Sequence, residues 1–317
     1  MVFPVFIFLI SCILIVVTGK LVIEALIRIS RFLHWKEFIV AFFTASLGAV
    51  LPEFFIGITS ALKGVPQLSL GNIFGQNIIL FTLAPALCVL MLKRLEMESR
   101  TVRAGSTFAI LVAILPLLLI LNGELSRADG IILISCFFFY IFWLFSKKER
   151  FSKVYEQEEE IKKSSIGFLK DLLTVLAGLI LIAVFAYGIV DSAETFSEQL
   201  NIPPLLIGIL VIGLGVALPE TFLVINLAKR GQSWMILGSL MGAVAISSTL
   251  VLGIVALISP IVISVEDLSV LESARIFLII SAVFFLFFSR TGNKITLRES
   301  LFLLGIYIAF LLFEIFS

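Results

Sequence analysis

The chain has 317 residues, of which 60% are hydrophobic and 14% charged, with 31 phenylalanines, a formal net charge of +1 and a mean hydropathy of +1.18. That balance excludes a soluble domain and identifies an integral membrane protein whose surroundings are the lipid bilayer, with no reason to expect nucleic acid as a partner.

Apolar stretches of about 17 to 25 residues, the length a helix needs to cross a bilayer, recur along the whole chain. They are predicted at 3–27, 38–62, 69–92, 103–121, 129–146, 168–190, 203–228, 233–259, 272–289 and 299–316, and are called spans one to ten below. Barrel strands would be shorter and alternating, so helices are the reading that satisfies every backbone group in lipid.

Span one lacks a basic leading region and a small-residue cleavage site, and its apolar pattern runs on past Lys20, so it is read as a retained helix. Lys20 and Glu24, four residues apart, are expected to form an ion pair along that helix. His34 lies beside Trp35 in a short basic loop and is given an interfacial role. Span two carries "GAVLPEFFIG", residues 48–57, where a proline and a carboxylate interrupt an apolar run. Span three opens with "LGNIFGQN", residues 70–77. After span five comes the one long hydrophilic segment, "SKKERFSKVYEQEEEIKKSS", whose charge blocks read as a cytoplasmic linker over 147–167. Asp191 and Glu194 are expected to end span six and face outside water. Span seven carries "GVALPETFLV", residues 215–224, and span eight "LGSLMGAV", residues 237–244. Cys12, Cys88 and Cys136 lie inside spans without paired spacing and are read as structural.

Of the 23 Lys and Arg, 19 fall in loops on one side of the membrane, 3 on the other, and Lys20 inside span one. The positive-inside rule then puts both termini outside and the linker in the cytoplasm.

Five spans lie on each side of the linker, so the two halves enter the membrane in opposite directions. Shifting the chain by 167 residues superimposes Gly48 on Gly215, Leu51 on Leu218, Pro52 on Pro219, Glu53 on Glu220, Gly71 on Gly238 and Gly75 on Gly242, without a gap between 47 and 75. The chain therefore reads as an inverted repeat, all-α, of two five-helix halves: 1–146, with its repeat core at about 41–80, and 168–317, with its core at about 208–247.

An ionised side chain near the bilayer centre costs at least ~2.5 to 3.5 kcal/mol, so Glu53 and Glu220 call for a partner or a cavity. Each follows a proline, which predicts a kinked or broken helix with free carbonyls. The glycines of spans three and eight predict close backbone approach. Two carboxylates with nearby carbonyls suit a hard cation, calcium above all; two protonated glutamates in a static bundle are the bland alternative.

The segments "GAVLPEFFIGITSALKGVPQLSLGNIFGQN" and "GVALPETFLVINLAKRGQSWMILGSLMGAV" resemble the two alpha-repeats of the cation/calcium exchanger superfamily, which includes sodium/calcium exchangers. The resemblance implies ten helices, a cation site enclosed by spans two, three, seven and eight, Glu53 and Glu220 as central calcium ligands, and spans one and six as a sliding pair in which Lys20 and Glu24 could serve gating. It implies antiport by alternating access, calcium as cargo, sodium or protons as counter-ion, and no cofactor. The sequence departs from the family's pattern where hydroxyls stand before Leu-Pro-Glu: here Ala49, Val50, Val216 and Ala217. Gln76 and Ala243 replace a Ser, and Leu80 and Ser247 replace an Asn or Asp.

The polar groups that remain are Gln76 and Asn77, with Asn72, on span three, and Ser239, Ser247 and Ser248 on span eight; Asn72 and Ser239 serve equally well as helix-start caps. With sodium-type hydroxyls depleted and two carboxylates kept, proton coupling is favoured, since a desolvated carboxylate can cycle a proton. The alternatives are a non-transporting relative acting as a binding or assembly protein, and a ten-helix drug/metabolite-type transporter, which predicts no duplicated Pro-Glu. No nucleophile with a neighbouring base and no phosphate loop points to an enzyme. A compact chain without a targeting extension suits a prokaryotic plasma membrane.

Overall fold

A computed structural model describes residues 2–33, 48–96, 100–146, 165–229, 233–291 and 294–316. His34, Trp35, the start of span two and most of the linker lie outside the described residues. The described helices fall in chain order on the expected spans. Seven of them are long and apolar enough by themselves to cross a membrane.

Span one is a helix over Val2–Phe32 and span two is described as a helix over Gly48–Leu62. Span three divides into Gln67–Phe81 and Leu83–Leu92 at Thr82, whose hydroxyl turns back to the Ile78 carbonyl at 2.5 Å. Span four runs Arg100–Leu119 and closes with a 3-10 turn, Ile120–Asn122; span five is Arg127–Ser146. Span six, Ser165–Leu200, extends ten residues past the expected end, so Asp191 and Glu194 lie within its helix rather than ending it. The stop is local chemistry: Asn201 takes a left-handed conformation, the Ile202 amide donates back to the Ser197 carbonyl, and Pro203 and Pro204 follow.

Span seven comprises Pro204–Ile207, a π-helical turn Gly208–Ile212, and Gly213–Lys229. Span eight repeats the device with Ser233–Ile246, a π-helical turn Ser247–Val251, and Leu252–Ile258. Span nine, Val265–Arg290, starts seven residues earlier than hydropathy predicts, because the Ser264 hydroxyl accepts from the Asp267 amide and caps it. Span ten is Leu297–Phe316.

The predicted helix breaks at the two prolines are not observed. Helix continues through Pro52 and Pro219, and the wide turn of span seven lies upstream at Gly208–Ile212. A proline removes one amide, which leaves the Gly48 and Gly215 carbonyls without their helical donors, but neighbouring helices can hold such a helix together.

Among the described residues, four short strands, β1 (Arg94–Glu96), β2 (Glu124–Leu125), β3 (Ile261–Val262) and β4 (Lys294–Thr296), tie loops across the halves. β1 pairs antiparallel with β4 and β2 with β3. The charge count assigns each paired set of loops to one side of the membrane, so both ladders fit that topology.

Among the described residues, two apolar clusters divide the interior. One packs spans one and six together through Ile15, Val22, Ile182, Ile189 and Ala193, and rests on Ile56, Leu68 and Ile212 of the neighbouring spans. The other runs through the remaining spans, from Phe74 and Phe81 to Phe285 and Phe310. At the end of span two, Gly64 at φ +78 lets the Val65 amide cap the Ser60 carbonyl, and the turn presents Lys63 to span six. Lys63 bonds Asp191 at 2.5 Å and Glu194 at 2.9 Å, and stands 4.6 Å from the Tyr187 ring centroid. Burial pulls the Lys63 pKa down, but the hydrogen bonds to Asp191 and Glu194 outweigh it and leave the ammonium above its ordinary value. Inside the pair, Arg28 of span one reaches Asp171 of span six at 2.8 Å.

The expected Lys20–Glu24 pair is not formed. An i,i+4 pair yields only about 0.3–0.5 kcal/mol, too little to order two long side chains on a helix where Lys20 is exposed.

Candidate cation-binding site

The site is built where the two halves meet. Gly71 and Gly75 of span three press on the irregular start of span seven: a Cβ at Gly71 would collide with the Leu205 carbonyl, and one at Gly75 with that of Ile209. A π-helical turn widens the helix by one residue, and two glycines bring the neighbouring backbone into van der Waals contact with it. Gly238, the repeat counterpart of Gly71, meets nothing within 4 Å, and the segment that the offset makes its partner lies outside the described residues.

That contact sets span three between the two glutamates. Glu53 is 1% exposed and Glu220 6% exposed. Gln76 Nε2 donates to Glu53 Oε1 at 2.5 Å and reaches Glu220 Oε2 at 3.3 Å, so one amide spans carboxylates contributed by opposite halves of the chain. One residue on, Asn77 Nδ2 donates to Ser248 Oγ of span eight at 2.8 Å. The structure thus brings together Glu53, Gln76 and Glu220, and separately Asn77 and Ser248.

Asn72 and Ser247 are fully buried, and Ser239 is buried. Asn72 and Ser239 are not helix-start caps: they lie well inside Gln67–Phe81 and Ser233–Ile246. Among the described residues, Glu53 Oε2, Glu220 Oε1, Gln76 Oε1, Asn72 Oδ1, Asn77 Oδ1 and Ser247 Oγ are buried without a hydrogen bond in the protein. Buried polar atoms left unpaired cost about 1–3 kcal/mol each, and Glu53 Oε2, Glu220 Oε1 and Gln76 Oε1 all belong to the one hydrogen-bonded group of Glu53, Gln76 and Glu220. Oxygen atoms of carboxylate, amide and hydroxyl type are the donor set a hard divalent cation takes. Lys20 is exposed and Glu24 half-buried on span one, and neither is among these buried unpaired groups.

Sequence reading passed over Ser69, whose buried hydroxyl is likewise unpaired, and Thr221 beside Glu220, which donates to the Ala217 carbonyl at 2.8 Å. It also passed over Thr82 and Thr249. These occupy equivalent positions under the 167-residue shift and make the same 2.5 Å bond to a carbonyl four residues back, so the shift carried past position 75 would have found them. Glu314 of span ten is a further buried carboxylate, bonded by Ser273 of span nine at 2.5 Å.

The family model described as sodium/calcium exchanger protein matches residues 3–146 and 170–316. The chain belongs to the sodium/calcium exchanger family. Among similar proteins, the inner membrane protein YrbG of Escherichia coli (strain K12) is 26% identical over 255 residues, covering 78% of this chain and 76% of that protein. The sodium/calcium exchanger MaX1 of Methanosarcina acetivorans is 31% identical over 145 residues, covering 46% of this chain and 41% of that protein. The crystal structure of the H+/Ca2+ exchanger CAX superposes with a TM-score of 0.75 at 19% identity over 98% of this chain and 82% of that chain. The sodium-calcium exchanger NCX_Mj superposes with a TM-score of 0.62 at 22% identity over 97% of each chain. The two solved exchangers and this chain share one overall fold.

Proposed function

We propose that this chain is a secondary-active antiporter that moves calcium, or a closely related divalent cation, in exchange for protons, with Glu53 and Glu220 as the groups that hold both. The observation that carries the reading is the single amide of Gln76 spanning two buried carboxylates from opposite repeats. Two ionised carboxylates so close in a low-dielectric site repel one another, and two positive charges neutralise them whether they arrive as one divalent ion or as two protons. Membership of an exchanger family supports antiport. The apolar residues Val50, Val216 and Ala217 at the Leu-Pro-Glu approach offer sodium no hydroxyl, which favours protons as the counter-ion.

Access alternates in this reading by movement of spans one and six, which form their own apolar cluster, against the rest. The prokaryotic plasma membrane with both termini outside remains the favoured setting. Calcium uptake into proteoliposomes under an imposed proton gradient or an imposed sodium gradient tests the function. The expected result is uptake driven by protons and reduced at least about 100-fold by Glu53→Gln or Glu220→Gln, as for loss of a charged ligand. Uptake driven by sodium alone would overturn proton coupling, and uptake that survives both substitutions would overturn the site.

A further inference from the structure

Among the described residues, Gln76 is the side chain that hydrogen-bonds both glutamates. The end of the amide that faces both carboxyl groups is its NH2 group, which donates to Glu53 Oε1 and Glu220 Oε2. The amide donates to the same carboxylate lone pairs that a hard cation would take as ligands. The amide donor and a bound cation therefore compete for the same carboxylate oxygens. At the other end of the amide, Oε1 is buried and makes no hydrogen bond in the protein. The terminal torsion of a glutamine is broad and two-fold, so half a turn replaces a donor by an acceptor at the same place.

We propose that Gln76 determines the cation specificity of the site. Its NH2 group holds the carboxylate pair against weak competitors, and it turns Oε1 inward as a ligand only for a cation that repays the lost hydrogen bonds. This rests on the reading of Glu53 and Glu220 as the cation site. The discrimination is by charge. Displacing the amide forfeits charge-assisted hydrogen bonds to two carboxylates. A divalent ion at a given distance gains twice the Coulomb energy of a monovalent one, so calcium can displace the donor where sodium cannot. The second repeat supplies no matching group, because the counterpart of Gln76 is Ala243. One amide thus serves both carboxylates, and one substitution should remove the device.

The test uses the full-length protein. Protection against heat unfolding by calcium and by sodium is measured in detergent, and sodium inhibition of calcium uptake in proteoliposomes, for the parent, Gln76→Ser and Gln76→Leu. Leucine keeps most of the volume and removes both donor and acceptor. In both variants sodium should compete about tenfold or more better relative to calcium, the factor that loss of one charge-assisted hydrogen bond allows. Gln76→Leu should also weaken calcium itself, because the Oε1 ligand is gone. A merely structural role would lower uptake and leave the sodium-to-calcium ratio where it was. An unchanged ratio in both variants, in a parent that calcium protects and in which Glu53→Gln abolishes that protection, overturns the role of Gln76 alone. If calcium does not protect the parent, the site reading and this inference fall together.

Discussion

A buried carboxylate pair is tolerable in a membrane only while something neutralises it, since each charge alone costs several kcal/mol there. If, as proposed, protons and a divalent cation bind the same two carboxyl groups, they compete, and the sign of the pH dependence follows. While both carboxyl groups are protonated in the unliganded protein, calcium must displace two protons, and its apparent affinity rises by about two decades per pH unit; where one proton remains the slope falls to about one, and the affinity levels off once both groups are ionised. Isothermal titration of calcium between mildly acidic and mildly alkaline pH checks this, and an affinity independent of pH would remove proton competition from the mechanism. Glu53 and Glu220 were legible in the sequence because a charge in an apolar run has to be explained. The reach of Gln76 was not, because the sequence shows a polar amide on span three but nothing of which carboxylates of other spans lie within its length. Glu314 was missed for a related reason: at the end of an apolar run a glutamate reads as interfacial, and only packing shows it buried against Ser273.

Contact between spans three and seven is what sets the distance from Gln76 to Glu220. At Gly71 the three atoms nearest an added Cβ are all backbone of span seven, the Leu205 carbonyl oxygen, Gly208 Cα and the Ile209 nitrogen, and none of these is the end of a flexible side chain. Gly71→Ala should therefore push the two spans apart, at a cost of about 1–3 kcal/mol for overpacking, and should reduce calcium uptake by moving Gln76 from Glu220. Gly305 of span ten has open space around it, so Gly305→Ala should leave uptake intact and raise stability by up to about 1 kcal/mol through helix propensity. Thermal unfolding and uptake for the pair check both statements, and equal effects from the two substitutions would refute this account of the contact. The close approach itself was legible in the four-residue spacing of Gly71 and Gly75, since small residues one turn apart line a single helix face. The π-helical turns at Gly208–Ile212 and Ser247–Val251 left no such trace, because one inserted residue in a helix leaves hydropathy unchanged. The early start of span nine was readable from the Ser264 to Asp267 cap but hidden from hydropathy by Glu266, Asp267 and Glu272.

For the whole molecule, inversion of the halves and the placement of charge bear on one another. Five spans per half, as the hydropathy predicts, would force opposite entry, and the repeat at 167 residues was visible because a Pro-Glu pair and three glycines do not easily align by chance at one offset. The side of the membrane is a different matter, since the fold is the same either way up and only the Lys and Arg excess decides it. The paired loops agree with one choice of sides: β1 and β4 join loops counted as inside, β2 and β3 loops counted as outside, and Lys63, Asp191 and Glu194 gather at the outside ends of spans two and six. A sheet ladder across a bilayer would be impossible, so any span miscounted between these loops would have separated the partners. The remaining freedom is one global flip. An alkaline phosphatase fused after Ser317 should be active and a fluorescent protein in that place dark, while a fluorescent protein inserted between residues 150 and 160 should shine. The opposite pattern would turn the exchanger over, placing the Lys63 cluster at the cytoplasmic face and reversing the direction in which protons must run to drive the cation, with the site itself untouched.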